Sequence, residues 1–444
     1  MRRGKHPPRV SYGLPLSGLS YFKLNTRGIL LLNTIAIIIL AAIIFDVVIN
    51  IVADVLNLKM LQAQVPETFQ GVYNADQYRK SQDYLRVNTR FGWITAVVNL
   101  VAVLLFWFLG GFPAIDNWVR SFGNGPVLTG LIYMGTLSLI YGLLSQPFSI
   151  YATFVIEERF GFNKTTWLTY LLDLLKGLVL AILIGTPLLA GILAFFEYAG
   201  SHAWIYCWAV VILYMLVIQY IAPTWIMPLF NKFKPIEEGE LKSAIMSYAE
   251  SIQFPLKNVY VMDGSKRSGK SNAFFTGFGK NKRIVLFDTL IQQHTVQELV
   301  AVLEHEMGHY KKKHILQGML LGILQTGIMF FLLSLIISYQ GLFEAFYMKH
   351  VSVYAGLIFF GMLFAPIDFF VGILMQVRSR SNEYQADKFS AETTKDPQAM
   401  IHALKKLSVH NLSNLLPHPF YVFLNYSHPP VLQRIETIEK IKLS

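Results

Sequence analysis

The sequence predicts a mainly α, polytopic membrane protein with a small α+β domain outside the bilayer, and three observations predict it. Hydrophobic residues make up 54% of the 444-residue chain and charged ones 15%, with a mean hydropathy of +0.44. A soluble globular chain cannot cover that much apolar surface. Seven apolar windows each come close to the roughly 20 residues that a helix needs to cross the hydrocarbon core. Two polar stretches, residues 223–314 and 378–444, together make about 160 residues, enough for one small core.

The windows, in order, are Gly28–Val52, Trp93–Phe112, Val127–Leu144, Gly177–Phe196, Ala203–Ala222, Leu316–Ile337 and Val353–Met375. They divide the chain into a basic tail (1–27), five membrane helices (28–222), a polar segment (223–314), two further membrane helices (315–377) and a polar tail (378–444). The first window reads as an anchor: it runs past the apolar length of a signal peptide, and no small-residue cleavage site follows it. Residues 66–90, polar and rich in Tyr and Arg, read as a loop with helical pieces. The acids Asp46 and Asp368 inside windows, and Glu197 at the end of one, are costly in lipid and face a cavity or a partner. The single cysteine, Cys207, allows no disulfide within the chain and no multi-cysteine metal site.

A net charge of +11 accompanies no nucleic-acid-binding motif. The basic residues flank membrane spans, where the positive-inside rule and anionic lipid account for them. Counting along alternate loops puts 8 of the 38 Lys and Arg on the side of the N-terminus and 30 on the other. This orients residues 223–314 and the C-terminus toward the cytoplasm, although the basic tail pulls the other way.

Within the first polar segment, Glu237–Ile252 reads as an amphipathic helix. Val259–Met262 and Ile284–Phe287 read as short strands bracketing the glycine-rich Gly264–Gly279. Thr295 begins a helix, with Glu298 three residues on completing a capping box. That helix carries His305-Glu306-Met307-Gly308-His309. HExxH on a helix sets two imidazoles one turn apart on one face, where they can hold one Zn²⁺, and the glutamate between them can act as general base. The mixed polar flanks, Gln292, Gln293, His294 and Lys311, exclude a lipid-facing span.

Catalytic zinc needs a third protein ligand. His314 fails the metzincin spacing, which requires a glycine where Lys312 stands and a histidine where Ile315 stands. His402, His410 and His418 lie in the polar tail and read as solvated. Glu383 sits in the helical-looking Ser381-Asn382-Glu383-Tyr384-Gln385-Ala386-Asp387, with Asp387 one turn on. This is the gluzincin arrangement: a glutamate on a second helix, then an acid able to bond a ligand histidine's other nitrogen.

These pieces resemble the type I CAAX prenyl proteases, multi-spanning zinc metallopeptidases of the membrane, and their bacterial homologues. The segments that carry the resemblance are 157–164 (EERFGFNK), 223–233 (PTWIMPLFNKF), Ser271–Gly277, HEMGH, Glu383–Asp387 and Tyr426–Arg434. They occur in order and cover the chain from about Leu58 onward. The resemblance implies seven transmembrane helices around a water-filled intramembrane chamber, capped on the cytoplasmic side by a gluzincin zinc domain. It implies His305, His309 and Glu383 as zinc ligands and Glu306 as the base. It further implies that Asn272 and His428 stabilise the oxyanion or position the peptide, with Asp387 and Arg434 in support. Substrates would be peptides or proteins, with prenylated C-termini or misfolded membrane proteins as the two classes. The short loop between the last two spans and the tail segment Asn411–Leu415 lean toward bacterial members, and so toward a bacterial cell membrane rather than the endoplasmic reticulum.

Two other readings compete. A site-2-type intramembrane protease needs HExxH within a lipid-length apolar helix, and Thr295–Lys313 is too polar. A non-catalytic chamber or transporter with a structural zinc predicts loss of the base, and Glu306 is present.

Overall fold

The computed structural model describes residues 32–62, 64–256, 258–276, 283–394 and 396–441. The basic tail, the first residues of the Gly28–Val52 window and Gly277–Gly279 lie outside the described residues. Among the described residues, seven helices are long and apolar enough to cross a membrane. Helix α1 (Thr34–Lys59) is capped by Asn33, whose side chain accepts from the Ala36 N–H at 2.8 Å. α2 (Ala75–Phe108) follows, then the short α3 (Gly111–Arg120). α4 (Pro126–Tyr151) continues through a π-helical turn to Glu157. The fourth span is α5 (Trp167–Leu180) and α6 (Thr186–Tyr198), joined by a second π turn. α7 (Ala203–Ile221) is the fifth.

Strand β1 (Phe233–Pro235) and helix α8 (Glu240–Ser251) open the polar segment, followed by β2 (Val259–Met262), β3 (Ala273–Thr276) and β4 (Arg283–Phe287). The sheet order is β1-β2-β4-β3: β2 and β4 are parallel, and the outer strands run antiparallel to them. β3, with only half-buried side chains, is therefore an edge strand. Helices α9 (Asp288–Gln293) and α10 (Val296–Lys311) come next. α11 (His314–Ile336) and, after α12 (Gln340–Glu344), α13 (Val353–Thr394) are the last two spans. α14 (Pro397–His410), α15 (Pro419–Asn425) and α16 (Val431–Glu439) complete the polar tail.

The membrane helices touch in a closed cycle: α1 meets α2, α3 links α2 to α4, and α4, α6, α7, α11, α13 and α1 follow in turn. One end of this ring is filled by an aromatic core of Trp107, Phe112, Tyr133, Phe343, Phe346 and Phe359. The other end carries the sheet and α10, whose core includes Ile245, Ile284, Leu286, Leu303 and Met307.

Two segments depart from the sequence reading. Residues 66–90 are mostly not loop: α2 begins at Ala75, and its first turns bury Tyr78, Ser81 and Gln82 against other elements. Window-based hydropathy stops where lipid stops, but the helix does not. The same holds for α13, which runs 42 residues from its apolar window into the Glu383 segment without a break. No glycine or proline stands between Met375 and Thr394 to end it. Asp46 and Asp368 are each paired with an amide: Asn50 donates to Asp46, and Gln325 donates to Asp368 at 3.1 Å. Asp368 and Gln325 line a cavity of about 440 Å³ together with Met215 and Phe364.

Candidate active site

The site is assembled from three helices and a strand edge. Thr295 caps α10: its hydroxyl accepts from the Glu298 N–H, and the Glu298 carboxylate accepts from the Thr295 N–H at 2.9 Å. Lys406 of α14 donates to the same carboxylate at 2.8 Å, tying the start of the helix to the tail. Burial opposes the charge on Glu298, but Lys406 and the Thr295 N–H outweigh it, and its pKa is lowered. The helix is thereby fixed along its length, and His305 and His309 project from one face.

Glu383 of α13 meets them. His305 Nε2 lies 3.2 Å from Glu383 Oε2, His309 Nε2 lies 3.2 Å from Oε1, and the two imidazole nitrogens are 3.1 Å apart. The three donor atoms fall within 4.8 Å of one another. Glu383 is buried, and its Oε2 makes no well-formed hydrogen bond, with His305 Nε2 at 3.2 Å and Arg434 Nη1 at 3.6 Å its nearest polar neighbours. The donor set fits a metal ion.

The second nitrogens of both imidazoles are also engaged. His305 Nδ1 lies 2.8 Å from Asp387 Oδ1, a carboxylate with no exposure. Arg434 of α16 holds Asp387 with a fork, Nε to Oδ2 at 2.9 Å and Nη2 to Oδ1 at 2.6 Å. Burial and Arg434 push the His305 pKa down, yet Asp387 and Glu383 prevail and raise it to about 9. The pocket field thus favours positive charge at this imidazole. His309 Nδ1 is met instead by His314 Nδ1 at 3.0 Å, whose Nε2 faces Gln385 Oε1 at 3.5 Å. His314 is not one of the three clustered donors, but it is the hydrogen-bonding neighbour of the His309 ring. The sequence reading missed that second role.

Around the cluster lies a cavity of about 650 Å³. Glu306 lines it, its carboxylate acting on the Arg434 guanidinium through charge. Asn272 lines it from the residue before β3 rather than from within the strand. Its Oδ1 accepts from the Ala273 N–H at 2.9 Å, which leaves the amide nitrogen for a ligand. His428 approaches from the other side, its Nε2 3.4 Å from Glu383 Oε1 and its Nδ1 2.9 Å from the Ser427 hydroxyl. The turn bearing His428 is held by Arg380, which donates to the carbonyls of Val422 and Tyr426. Arg380 lies one turn before Glu383, and its partners lie more than 40 residues further along the chain. The eight residues expected at the site therefore come together. Of the tail histidines, His418 caps α15, accepting from the Phe420 N–H.

Two family models divide the chain between them. Residues 54–232 match the CAAX prenyl protease N-terminal region of five membrane helices, and residues 235–442 match peptidase family M48. The chain belongs to the CAAX prenyl proteases of family M48. Among similar proteins, a CAAX prenyl protease 1 homolog of Arabidopsis thaliana is 36% identical over 412 residues, covering 88% of this chain and 95% of the relative. CAAX prenyl protease 1 of Saccharomyces cerevisiae is 33% identical, covering 86% and 90%. The Homo sapiens homolog is 32% identical, covering 85% and 89%. The crystal structure of S. mikatae Ste24p superposes with a TM-score of 0.85 at 33% identity, over 91% of this chain and 99% of that one. This chain is accordingly a multi-pass membrane metalloprotease acting on peptides or proteins. These three relatives are eukaryotic, so the bacterial leaning of the short loop and the tail draws no support from them.

Proposed function

We propose that this CAAX prenyl protease is a zinc metalloendopeptidase that cleaves CAAX-type C-termini, with its site open to a chamber inside the ring of membrane helices. The observation that carries the reading is the convergence of His305, His309 and Glu383 in the cavity that Glu306 also lines. Two imidazoles and one carboxylate form a donor set suited to catalytic zinc, with a fourth position left for chemistry. Bound there, zinc supplies a Lewis acid that activates water and polarises a carbonyl.

The chain's own groups do the rest. Glu306 accepts the proton of the attacking water and returns it to the leaving amine. The Asn272 amide and the His428 ring N–H donate to the oxygen that gains charge as the carbonyl is attacked. Asp387, held by Arg434, keeps the His305 tautomer that turns Nε2 toward the ligand cluster. An extended substrate adds to the open edge of β3 through its backbone.

Lipidated substrate is favoured by the lining. It continues from the sheet edge onto Ile315, Leu321 and Met375 of the membrane helices, apolar surface against which an isoprenoid chain can lie. The 30 Lys and Arg on the zinc-domain side support a cytoplasmic active site, in the endoplasmic reticulum of a eukaryotic cell or the cell membrane of a bacterium. The test is a cleavage assay with three substrates: a farnesylated CAAX peptide, its unprenylated form and an unrelated unfolded polypeptide. Preference for the first is expected. Equal cleavage of the unfolded polypeptide would assign the enzyme to quality control instead.

A further inference from the structure

The segment that leads into Asn272 is held by its own domain, where Thr289 donates to the Lys270 carbonyl at 2.9 Å and the Phe287 N–H to the Asn272 carbonyl at 3.1 Å, and also by the membrane helices. Arg267 forms a fork onto Asp173 of α5, at 2.7 and 2.9 Å, and donates to the Phe230 carbonyl. The Gly269 N–H donates to the Phe162 carbonyl at 2.8 Å, and Ser268 forms an antiparallel bridge with Asn163. Lys270 then reaches back: its Nζ lies 3.0 Å from a Glu157 carboxylate oxygen and 2.8 Å from the Tyr84 hydroxyl of α2. The same ammonium sits over the rings of Phe162, at 4.6 Å, and Tyr84, at 5.1 Å. Tyr84 donates to Glu157, which closes the cluster. From the tail side, Asn411 clasps the backbone of Ser271 in both directions, at 3.0 and 3.1 Å.

A lone half-exposed ion pair is worth little. This one is backed by two aromatic faces and a phenol and lies two residues from Asn272, about 7 Å along extended chain. Asn272 itself is exposed, and its side-chain oxygen is committed to its own strand. Nothing else on its side chain fixes where the amide nitrogen points, so the placement of its backbone decides it.

We infer that Lys270 is a positioning residue: through Glu157, Tyr84 and Phe162 it fixes Asn272 against the ligand cluster, so that α2 and the end of α4 set the geometry of the reaction. This rests on the role given to Asn272 above. It also assigns a task to residues 157–164, which touch neither the ligand cluster nor the cavity around it. They are the seat on which the catalytic edge strand is mounted.

The test is a double-mutant cycle on the full-length, zinc-loaded protein in detergent. Lys270→Met should keep zinc content and leave KM within about twofold, while kcat falls by about tenfold to a hundredfold, the scale expected for a displaced catalytic group. Lys270→Arg should recover most of that loss. In the Asn272→Ala background, Lys270→Met should cost less than about twofold more, because the group it places is already gone. Full multiplication of the two losses, or loss of zinc in Lys270→Met, overturns the inference. If Lys270→Met does not fold, Glu157→Gln removes the same ion pair and is read in the same cycle. Full kcat in Asn272→Ala alone would instead refute the role of Asn272. An impaired Asn272→Ala beside an unimpaired Lys270→Met would refute the positioning alone.

Discussion

Gly308 of α10 lies against Ala386 of α13 so closely that a β-carbon on Gly308 would stand 3.2 Å from the Ala386 carbonyl oxygen and 3.2 Å from the Phe389 ring. The glycine inside the HExxH motif is thus the contact that lets two helices approach until Glu383 reaches both imidazoles. Gly308→Val would wedge them apart. Zinc stoichiometry by metal analysis should fall well below one per chain, with the membrane helices still folded by circular dichroism.

Glu306 lines the site without joining the ligand cluster. Glu306→Gln should keep zinc and lose peptide cleavage by several orders of magnitude, since an amide accepts no proton from water. Metal analysis alongside a hydrolysis assay decides this. A variant with substantial turnover would refute the mechanism.

The two histidine supports differ in kind, and so should their loss. Glu383→Ala removes a ligand and should abolish stoichiometric zinc. His314→Ala removes only the partner of His309 Nδ1 and should weaken zinc binding by about 10–100-fold, the range typical of such orienting partners. Competition with a chelator separates the two; equal affinity loss would make His314 a ligand.

Asn272→Ala and His428→Ala should each retain zinc and nearly normal KM. Removing one oxyanion donor typically lowers kcat by about 10²–10³. A raised KM at unchanged kcat in either variant would move that residue from the reaction to substrate binding.

Glu298 links the start of the HExxH helix to Lys406. Its pKa is lower folded than unfolded, so its stabilisation is present above the unfolded value near 4.5 and is lost as pH falls through the folded one. Glu298→Gln should therefore lower Tm at pH 7, by a free energy on the order of 1 kcal/mol. It should also flatten the acid limb of the Tm–pH profile. An unchanged acid limb would show that the pair contributes nothing.

The geometry was legible in the sequence where it depends on spacing. His305 and His309 stand one helical turn apart, as do Glu383 and Asp387, and periodicity sets which face each pair occupies. The capping box at Thr295 and the strands at Val259 and Ile284 were legible for the same local reason. Asn272 and His428 rested on resemblance, because nothing local separates a catalytic Asn beside a strand from an ordinary one. What could not be read are contacts across long sequence gaps. Arg380 on the Tyr426 carbonyl, Lys270 on Glu157 and Asn411 on Ser271 each join residues separated by 46 to 140 positions. Hydropathy also misjudged where α2 begins and α13 ends, since it reports the solvent around a helix and not its hydrogen bonds.

α13 is a single helix about 63 Å long. Its first turns are packed into the aromatic plug through Tyr354 and Phe359, and its far part carries Glu383. A thicker or thinner bilayer tilts a rod of this length, and a tilt of a few degrees about the plug displaces the far end by ångströms. The α10 helix, packed on α13 at Gly308 and Ala386, carries that motion into the zinc domain. The placement of the ligand cluster is therefore tied to the membrane itself, and reconstitution into lipids of graded chain length becomes a dial on turnover.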